Sequence, residues 1–269
     1  MMGMLAPDLL DRRALACIRL VDAYGKPVSG PVTIVGDGVR TFPKDNGRFV
    51  VLAAAGLEAH TAAFLAPPAT PAVRARHVLL DLTPAAGETA PRRFDLRLPR
   101  DPDPDNADDS NSLFQPAEIE MLPSPQARQT GSACLVHVTV LRDDDGRAVE
   151  NALVRGRSDD GLFTARAVTN ARGEACLVFA SLPLAFPGAG ANVEPDLPAR
   201  LIATVDPATA RFHAPADVAR AATEAAARTE GHVDPDSFAT ASPADFAAGA
   251  AVRLSAGRQP SLTIEWQAP

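Results

Sequence analysis

Cysteine and the large aromatic residues are scarce in this sequence, whose 269 residues include three cysteines, one tryptophan and one tyrosine. Three widely spaced cysteines cannot form a disulfide framework. We therefore expect Cys17, Cys134 and Cys176 to be buried free thiols, although a Cys134–Cys176 bridge stays open. Because aromatic residues are so few, the core must consist mainly of Val, Leu, Ala, Ile and Phe.

The sequence also lacks an excess of positive charge and long apolar runs. Its net charge is −7 and its pI is about 5.2, which argues against a protein that binds the phosphate backbone of nucleic acids. No stretch approaches the ~20 apolar residues of a membrane span, so no membrane insertion is expected. Charges interrupt Met1–Leu20, which does not resemble a signal peptide. We expect synthesis in the cytoplasm, with later incorporation into a particle or export without a cleaved signal.

Motifs for catalysis or metal binding are missing. No Cys-x-x-Cys, nucleophile elbow, P-loop or dinucleotide-binding glycine motif occurs. No two histidines have the i, i+4 spacing of a helical zinc site; they are His60, His77, His137, His213 and His232. We therefore predict no catalytic, cofactor-binding or metal-ligating residues, no cofactor, and a protein that is not an enzyme.

Proline is abundant, with 25 residues, and the apolar residues alternate over short runs, as is typical of strands. The clearest example is Cys134–Ser181. Leu135–Leu141 alternates into an acidic turn, a second strand follows from Ala152, and a third, Ala175–Phe179, follows a turn at 170–173. The pattern predicts a mainly all-β chain of two tandem antiparallel β-sandwich domains.

Composition suggests the domain boundaries. A lead at 1–14 precedes a first sandwich at 15–100, an acidic, proline-rich linker at 101–131 and a second sandwich at 132–269. Strands are expected in the first domain at 17–21, 32–35, 48–52, 78–82 and 94–98, with a hairpin turn at Asn46-Gly47. In the second, an alanine-rich helix is expected at about 215–229, a short helix at 243–248, and closing strands at 251–254 and 261–266.

The linker carries aspartates at alternate positions from Asp101 to Asp105, a spacing that superficially resembles a calcium loop. An EF-hand loop would need Gly at Asn106 and Glu at Ser112. Both are missing, which favours a solvated linker.

Two parts of the chain are weakly similar to each other. Gly25-Lys26-Pro27-Val28 aligns with Gly146-Arg147-Ala148-Val149, and further on Asn46-Gly47-Arg48-Phe49 falls near Arg172-Gly173-Glu174-Ala175. This pattern, over 16–52 and 134–180, resembles the carboxypeptidase regulatory-like domain, a small transthyretin-like or immunoglobulin-like sandwich. The resemblance implies turn geometry and a fold, and it carries no activity.

Three functions remain open from the sequence. The first is a non-enzymatic structural or adaptor component of a bacterial multiprotein assembly, with protein partners, such as a phage-tail-like contractile particle or a type VI-type secretion apparatus. The second is a glycan- or calcium-binding β-sandwich module. The third is a hydrolase with an unrecognised site, in which His213 would act with a nearby carboxylate; a cleft joining the two would favour it.

Overall fold

The computed structural model describes residues 14–62, 74–85, 87–183 and 196–267. Over these residues the chain is a mainly β protein with sixteen strands and two short α-helices. The predicted lead at 1–14 lies outside these residues except for Ala14. The strands are β1 Ala16–Val21, β2 Val32–Val35, β3 Arg40–Pro43, β4 Arg48–Ala53, β5 Arg76–Pro84, β6 Arg92–Leu98, β7 Ala117–Glu120, β8 Cys134–Arg142, β9 Ala148–Glu150, β10 Leu153–Ser158, β11 Thr164–Val168, β12 Glu174–Phe179, β13 Leu197–Thr204, β14 Arg211–His213, β15 Ala250–Leu254 and β16 Ser261–Trp266.

Two compact units make up the chain, and each is assembled from three stretches of sequence. Unit 1 comprises Met1–Leu20, Val35–Leu80 and Asp95–Ile119, and unit 2 comprises Val21–Ile34, Asp81–Phe94 and Glu120–Pro269. The tandem boundaries drawn from composition stay a prediction.

Unit 1 contains most of a four-stranded sheet in the order β3-β4-β1-β7. Strands β3 and β4 form a hairpin in which Pro43 lies opposite Phe49. Between them Asn46 and Gly47 have φ of 60° and 66°, as the sequence predicted for a turn that only such residues adopt without strain. Alternate side chains are buried on one face, including Ile18, Leu20 and Val51. A further sheet has the order β2-β5-β6.

Unit 2 is a sandwich of two sheets that share one core. One sheet has the order β11-β10-β13-β15, and the other has the order β12-β8-β9-β14 with β16 paired to β8. Val138 and Leu177 from the second sheet pack with Val154, Leu201 and Leu254 from the first. The period of two along each strand sends these side chains inward and their neighbours outward.

One strand pair of unit 2 departs from the predicted antiparallel pattern. Strand β16 runs parallel to β8, with Ser261 opposite His137 and Trp266 opposite Arg142. The chain enters β16 from β15, which belongs to the other sheet, and such a crossover removes the constraint that a hairpin places on strand direction.

The helices lie at the surface. Helix α1 spans Glu58–Ala62. Helix α2 spans Val218–Ala226, inside the predicted range, and buries only Ala221. A 3₁₀ helix at Pro243–Phe246 takes the place of the short helix expected at 243–248, and Asp245 accepts a hydrogen bond from the Ser242 amide at its start. Within the described ranges, no helix is both long and apolar enough to cross a membrane.

The stretch predicted as a linker contains regular structure. A 3₁₀ helix forms at Pro104–Asn106 and strand β7 at Ala117–Glu120, neither of which the sequence analysis expected. Ile119, Met121 and Leu122 are buried. These apolar residues after the acidic run therefore pack into the protein. The proline-broken composition of the stretch did not predict a strand there.

All three cysteines are free thiols, as expected. Cys134 belongs to the core shared by the two sheets, whereas Cys176 packs with Ala133, Leu135 and Val178 on the opposite face of the β8–β12 pair. Because the two side chains point to opposite faces, a bridge cannot form without moving the backbone.

Candidate functional site

A buried carboxylate of unit 2, that of Glu150, lies at the end of β9. Its side chain is 5% exposed. One oxygen, Oε2, lies 2.6 Å from His213 Nε2, and the other, Oε1, accepts a hydrogen bond of 2.7 Å from Arg228 Nη1. Strand β14 brings His213 there because it pairs with β9, with His213 opposite Ala148.

The pKa of Glu150 shows what this arrangement does. Burial acts to raise it, but the hydrogen bonds from Arg228 and His213 outweigh burial, and the pKa falls below its ordinary value. The carboxylate is therefore ionised at neutral pH, with both oxygens engaged. A general base needs a pKa near the working pH and a free oxygen, and Glu150 has neither.

A cleft of about 540 Å³ opens beside this group. Glu150, Arg228 and His232 line it, together with Ala222 and Ala225 of helix α2. His213 is not among the described residues that line it, so the cleft does not join His213 to its carboxylate. Of the two features that would favour a hydrolase, the structure shows the contact between His213 and a carboxylate but not a cleft that joins them.

Asp81 fastens the segment after α2 in the same way. It is 6% exposed and accepts hydrogen bonds from Arg93 and from the backbone amides of Gly231 and His232, at 2.8 to 3.2 Å. Burial acts to raise the pKa of Asp81, but these donors lower it overall. Burial lowers the pKa of His232, whose Nε2 lies 3.2 Å from the Thr83 hydroxyl.

A third cluster surrounds Arg92, whose side chain is 1% exposed. Its Nη2 lies 3.2 Å from Asp234 and 2.5 Å from Asp236, and its Nη1 donates to the Glu120 carbonyl. Asp236 also lies 2.5 Å from Arg166.

Arg166 extends this cluster to strand β7. It makes two hydrogen bonds, of 2.7 and 2.9 Å, to the carboxylate of Glu120. Burial acts to raise the pKa of Asp236, but Arg92 and Arg166 lower it. The result is a continuous row of alternating charges in which no group is left unpaired.

The three clusters, around Glu150, Asp81 and Arg92, all bind the same loop segment. The segment 228–236 contains only a 3₁₀ turn at Pro235–Ser237, yet it is bound by Glu150, Asp81 and Arg92, which lie on strands β9, β5 and β6. Charges that are buried must be paired, and the loss of one partner costs far more than the pair contributes. The charged residues thus hold a loop segment against the strands.

The other histidines and aspartates singled out in the sequence are not brought together. His77 pairs with Asp95 at the surface, at 2.9 Å, and His137 lies mid-strand opposite Cys176. Asp144 and Asp145, after β8, pair with Arg142 and Arg147 in an exposed turn. In the described part of the chain, no three His, Cys, Asp or Glu side chains form a group suited to a metal ion.

The residues that do form clusters were mostly missed. Asp81 gave a signal, since it interrupts the apolar run Val78–Leu82, and a charge inside a strand must find a partner. Glu150, Asp234 and Asp236 gave none, because their partners lie far away in the sequence.

Comparison with known proteins gives no assignment. No protein-family model matches the chain, and no curated protein matches it. The solved structures that align with it include the Bacillus anthracis TIE protein, at 8% identity and a TM-score of 0.25, over 96% of this chain and 34% of that one. This chain therefore spans about a third of the TIE protein.

Two pilins also align. A mutant of shaft pilin spaA from Lactobacillus rhamnosus GG does so at 12% identity and a TM-score of 0.23, over 76% of this chain and 93% of the pilin. GBS52, the minor pilin of Streptococcus agalactiae, does so at 8% identity and a TM-score of 0.25, over 94% and 97%. Likenesses of this strength carry no argument, and the fold described above depends on this chain's own strands.

Proposed function

We propose that this chain is a non-enzymatic structural or adaptor component of a multiprotein assembly. One observation carries the proposal: in unit 2 the most buried charged side chains, Arg92, Asp81 and Glu150, are all bound by intramolecular partners. Reactive groups in active sites are usually poised with a shifted pKa and a free face toward a cleft. Glu150 does border a cleft and has a lowered pKa, but both of its oxygens are engaged by Arg228 and His213. The three groups are thus used to fasten a loop to strands.

The kind of assembly is the finer part of the proposal. The sequence favours a contractile phage-tail-like particle or a type VI-type secretion apparatus, and the resemblance to carboxypeptidase regulatory-like domains would suit a spacer or docking module in either. Both stay predictions. Sandwich units serve such roles because their strand edges and loops offer many surfaces to partners.

The test is sedimentation of lysate from the native host, followed by mass spectrometry of the fractions that contain this chain. The proposal predicts a large complex with a constant set of partner proteins after mild cross-linking. A chain that sediments alone, near its own mass of 28.1 kDa, would contradict it.

The cleft beside Glu150 favours a second candidate function, the binding of a small ligand. Its volume of about 540 Å³ lies within the range of ligand pockets. Arg172, exposed and without a polar partner for its side chain in the described residues, lies at its edge. A rise in melting temperature with a glycan panel or with calcium would support this candidate, because a ligand that binds only the folded state stabilises it. No rise with either would reject it.

A further inference from the structure

Four arginines lie on the outer face of the sheet formed by β11, β10 and β13. The strand register places Arg155 opposite Arg166 and Arg157 opposite Arg200. The alternate residues point inward: Val154, Ala167 and Leu201 belong to the core. We call Arg155, Arg157, Arg166 and Arg200 the arginine face.

Like charges directly opposite each other in an antiparallel pair are destabilising, so the arginine face needs an explanation. Arg166 has one, since Glu120 and Asp236 neutralise it. In the described residues, Arg155, Arg157 and Arg200 have no carboxylate oxygen within 4 Å. Arg155 donates to the Ala239 carbonyl at 2.7 Å and Arg200 to the Gly249 carbonyl at 3.3 Å.

Most of the donor capacity of these three side chains is therefore unused, because a guanidinium group carries five N–H donors. Burial and then the charge of Arg166 lower the pKa of Arg155, and the charge of Asp245 acts in the opposite direction. Besides Glu120 and Asp236, which pair with Arg166, two further carboxylates lie nearby: Asp245, which caps the 3₁₀ helix at Pro243–Phe246, and Asp159.

Two grooves run over the arginine face, on either side of the segment 238–247. One has a volume of about 440 Å³ and is lined by Arg155, Arg157 and Arg166. Glu120 and Asp236 line it too, and both carboxylates are engaged by Arg166. The other, of about 370 Å³, is lined by Arg157 and Arg200. Arg157 and Phe246 line both, so the two grooves are neighbours along the sheet.

We propose that the arginine face binds an acidic, extended peptide segment of a partner protein, with carboxylates at alternate positions. Guanidinium groups bind carboxylates through paired hydrogen bonds. Arg155 and Arg157 are two residues apart on one strand, and alternate side chains of an extended peptide have the same separation of roughly 6.6 Å. A single small anion would engage one groove, whereas an extended peptide fits both.

The proposal rests on the proposed function in that it supplies a docking surface for a partner in the assembly. A suitable probe exists in the chain itself, since residues 101–109 carry aspartates at 101, 103, 105, 108 and 109. None of these five forms an ion pair in the described residues. The partner is defined only by its chemistry, an extended segment with carboxylates at alternate positions.

The test measures binding of a fluorescent synthetic peptide with the sequence of residues 101–109 to the full chain. We expect saturable binding that weakens as salt rises, and a loss of about tenfold or more in affinity in the Arg155→Gln/Arg157→Gln double variant. The same peptide with every Asp replaced by Asn should not bind. Arg211→Gln, which removes an exposed guanidinium on strand β14, should leave the affinity unchanged.

Folding is checked separately by thermal melting, in which the double variant should melt no lower than the parent, because it removes repulsion between like charges. The absence of binding, or equal binding by the double variant or by the neutral peptide, would overturn the proposal. That result would leave the sedimentation experiment unaffected. Peptide binding by a chain that sediments alone in lysate would instead reject the assembly and leave the binding site standing.

Discussion

The guanidinium group of Arg92 lies 2.5 Å from the carboxylate of Asp236, a residue 144 positions further along the chain. Arg92 is among the most deeply buried charged side chains that the structure describes, at 1% exposure. This contact ties strand β6 to the segment that follows helix α2. It is the clearest case of a charge used to hold the fold of unit 2.

Replacing Arg92 by Met should strongly destabilise the protein. The change leaves Asp234, Asp236 and the Glu120 carbonyl without their buried donor, and such a loss costs roughly 3 kcal/mol. Urea unfolding followed by circular dichroism measures the free energy of unfolding. Arg220→Met is the matched control, because Arg220 pairs only at the surface of helix α2, and it should leave the free energy of unfolding nearly unchanged. Equal effects of the two changes would refute the role given to Arg92.

Replacing Glu150 by Gln should destabilise the protein in a pH-dependent way. In the folded state the pKa of Glu150 lies below its ordinary value of 4.5. The stabilisation is therefore fully present above about pH 4.5 and is lost as the pH falls through the folded-state pKa. Urea titrations at pH 7 should show a deficit of roughly 2 to 3 kcal/mol relative to the parent.

The same comparison in increasingly acidic buffer should show that deficit shrinking below pH 4.5, because protonation removes the charge that Arg228 and His213 bind. Arg172→Gln, which removes an exposed guanidinium without a carboxylate partner in the described residues, serves as a control that should show no such trend. A deficit that stays constant, or grows, on acidification would mean that Glu150 does not stabilise the fold through its charge.

The thiols should react slowly and independently. Burial raises the pKa of Cys176 to about 12 and also raises the pKa of Cys134 and Cys17. Because the thiolate is the reactive form, little reaction with a disulfide reagent is expected in the native protein at pH 8, and Cys17, the one that is partly exposed, should react first. In denaturant without reductant, three thiols should titrate; a count of one would reveal a bridge.

Much of the β structure of unit 2 was predictable because the alternation of apolar and polar residues within each strand is a local signal. The alternation in Ser261–Trp266 predicted the last strand to the residue, and Asn46-Gly47 marked a turn in unit 1 from two residues. Strands β3, β7, β9, β11 and β14 were missed. The three-residue strand β14 offers too short a run for a period of two to show.

The clusters could not be predicted for a related reason. Hydrophobic periodicity says which face of a strand is buried, but it does not say which strands lie together. The charged partners of Arg92 and Glu150 lie between 63 and 144 positions further along the chain. His213 was singled out, but its carboxylate could not be named, since the pairing of β14 with β9 is a matter of topology.

Gly156 shows a packing constraint that its strand position alone does not reveal. A Cβ atom added there would lie 2.5 Å from Phe179 and 2.6 Å from Leu201, in the core between the sheets. Gly156→Ala should therefore cost roughly 1 to 3 kcal/mol through overpacking. Gly87→Ala, where the nearest atom is 4.0 Å away, is the control and should cost less than 1 kcal/mol. The difference in urea midpoints measures the effect, and matching midpoints would contradict the core packing described above.

The measurement that tests the account most directly is a double-mutant cycle on Arg92 and Asp236. Urea unfolding would be measured for the parent, Arg92→Met, Asp236→Asn and the double variant. If the pair acts as a buried clamp, the two changes together should cost at least 1 kcal/mol less than the sum of the single costs, since contacting residues couple by about 0.5 to 3 kcal/mol. Additive costs, to within about 0.5 kcal/mol, would show that the contact does not hold the fold and would remove the observation on which the structural role depends.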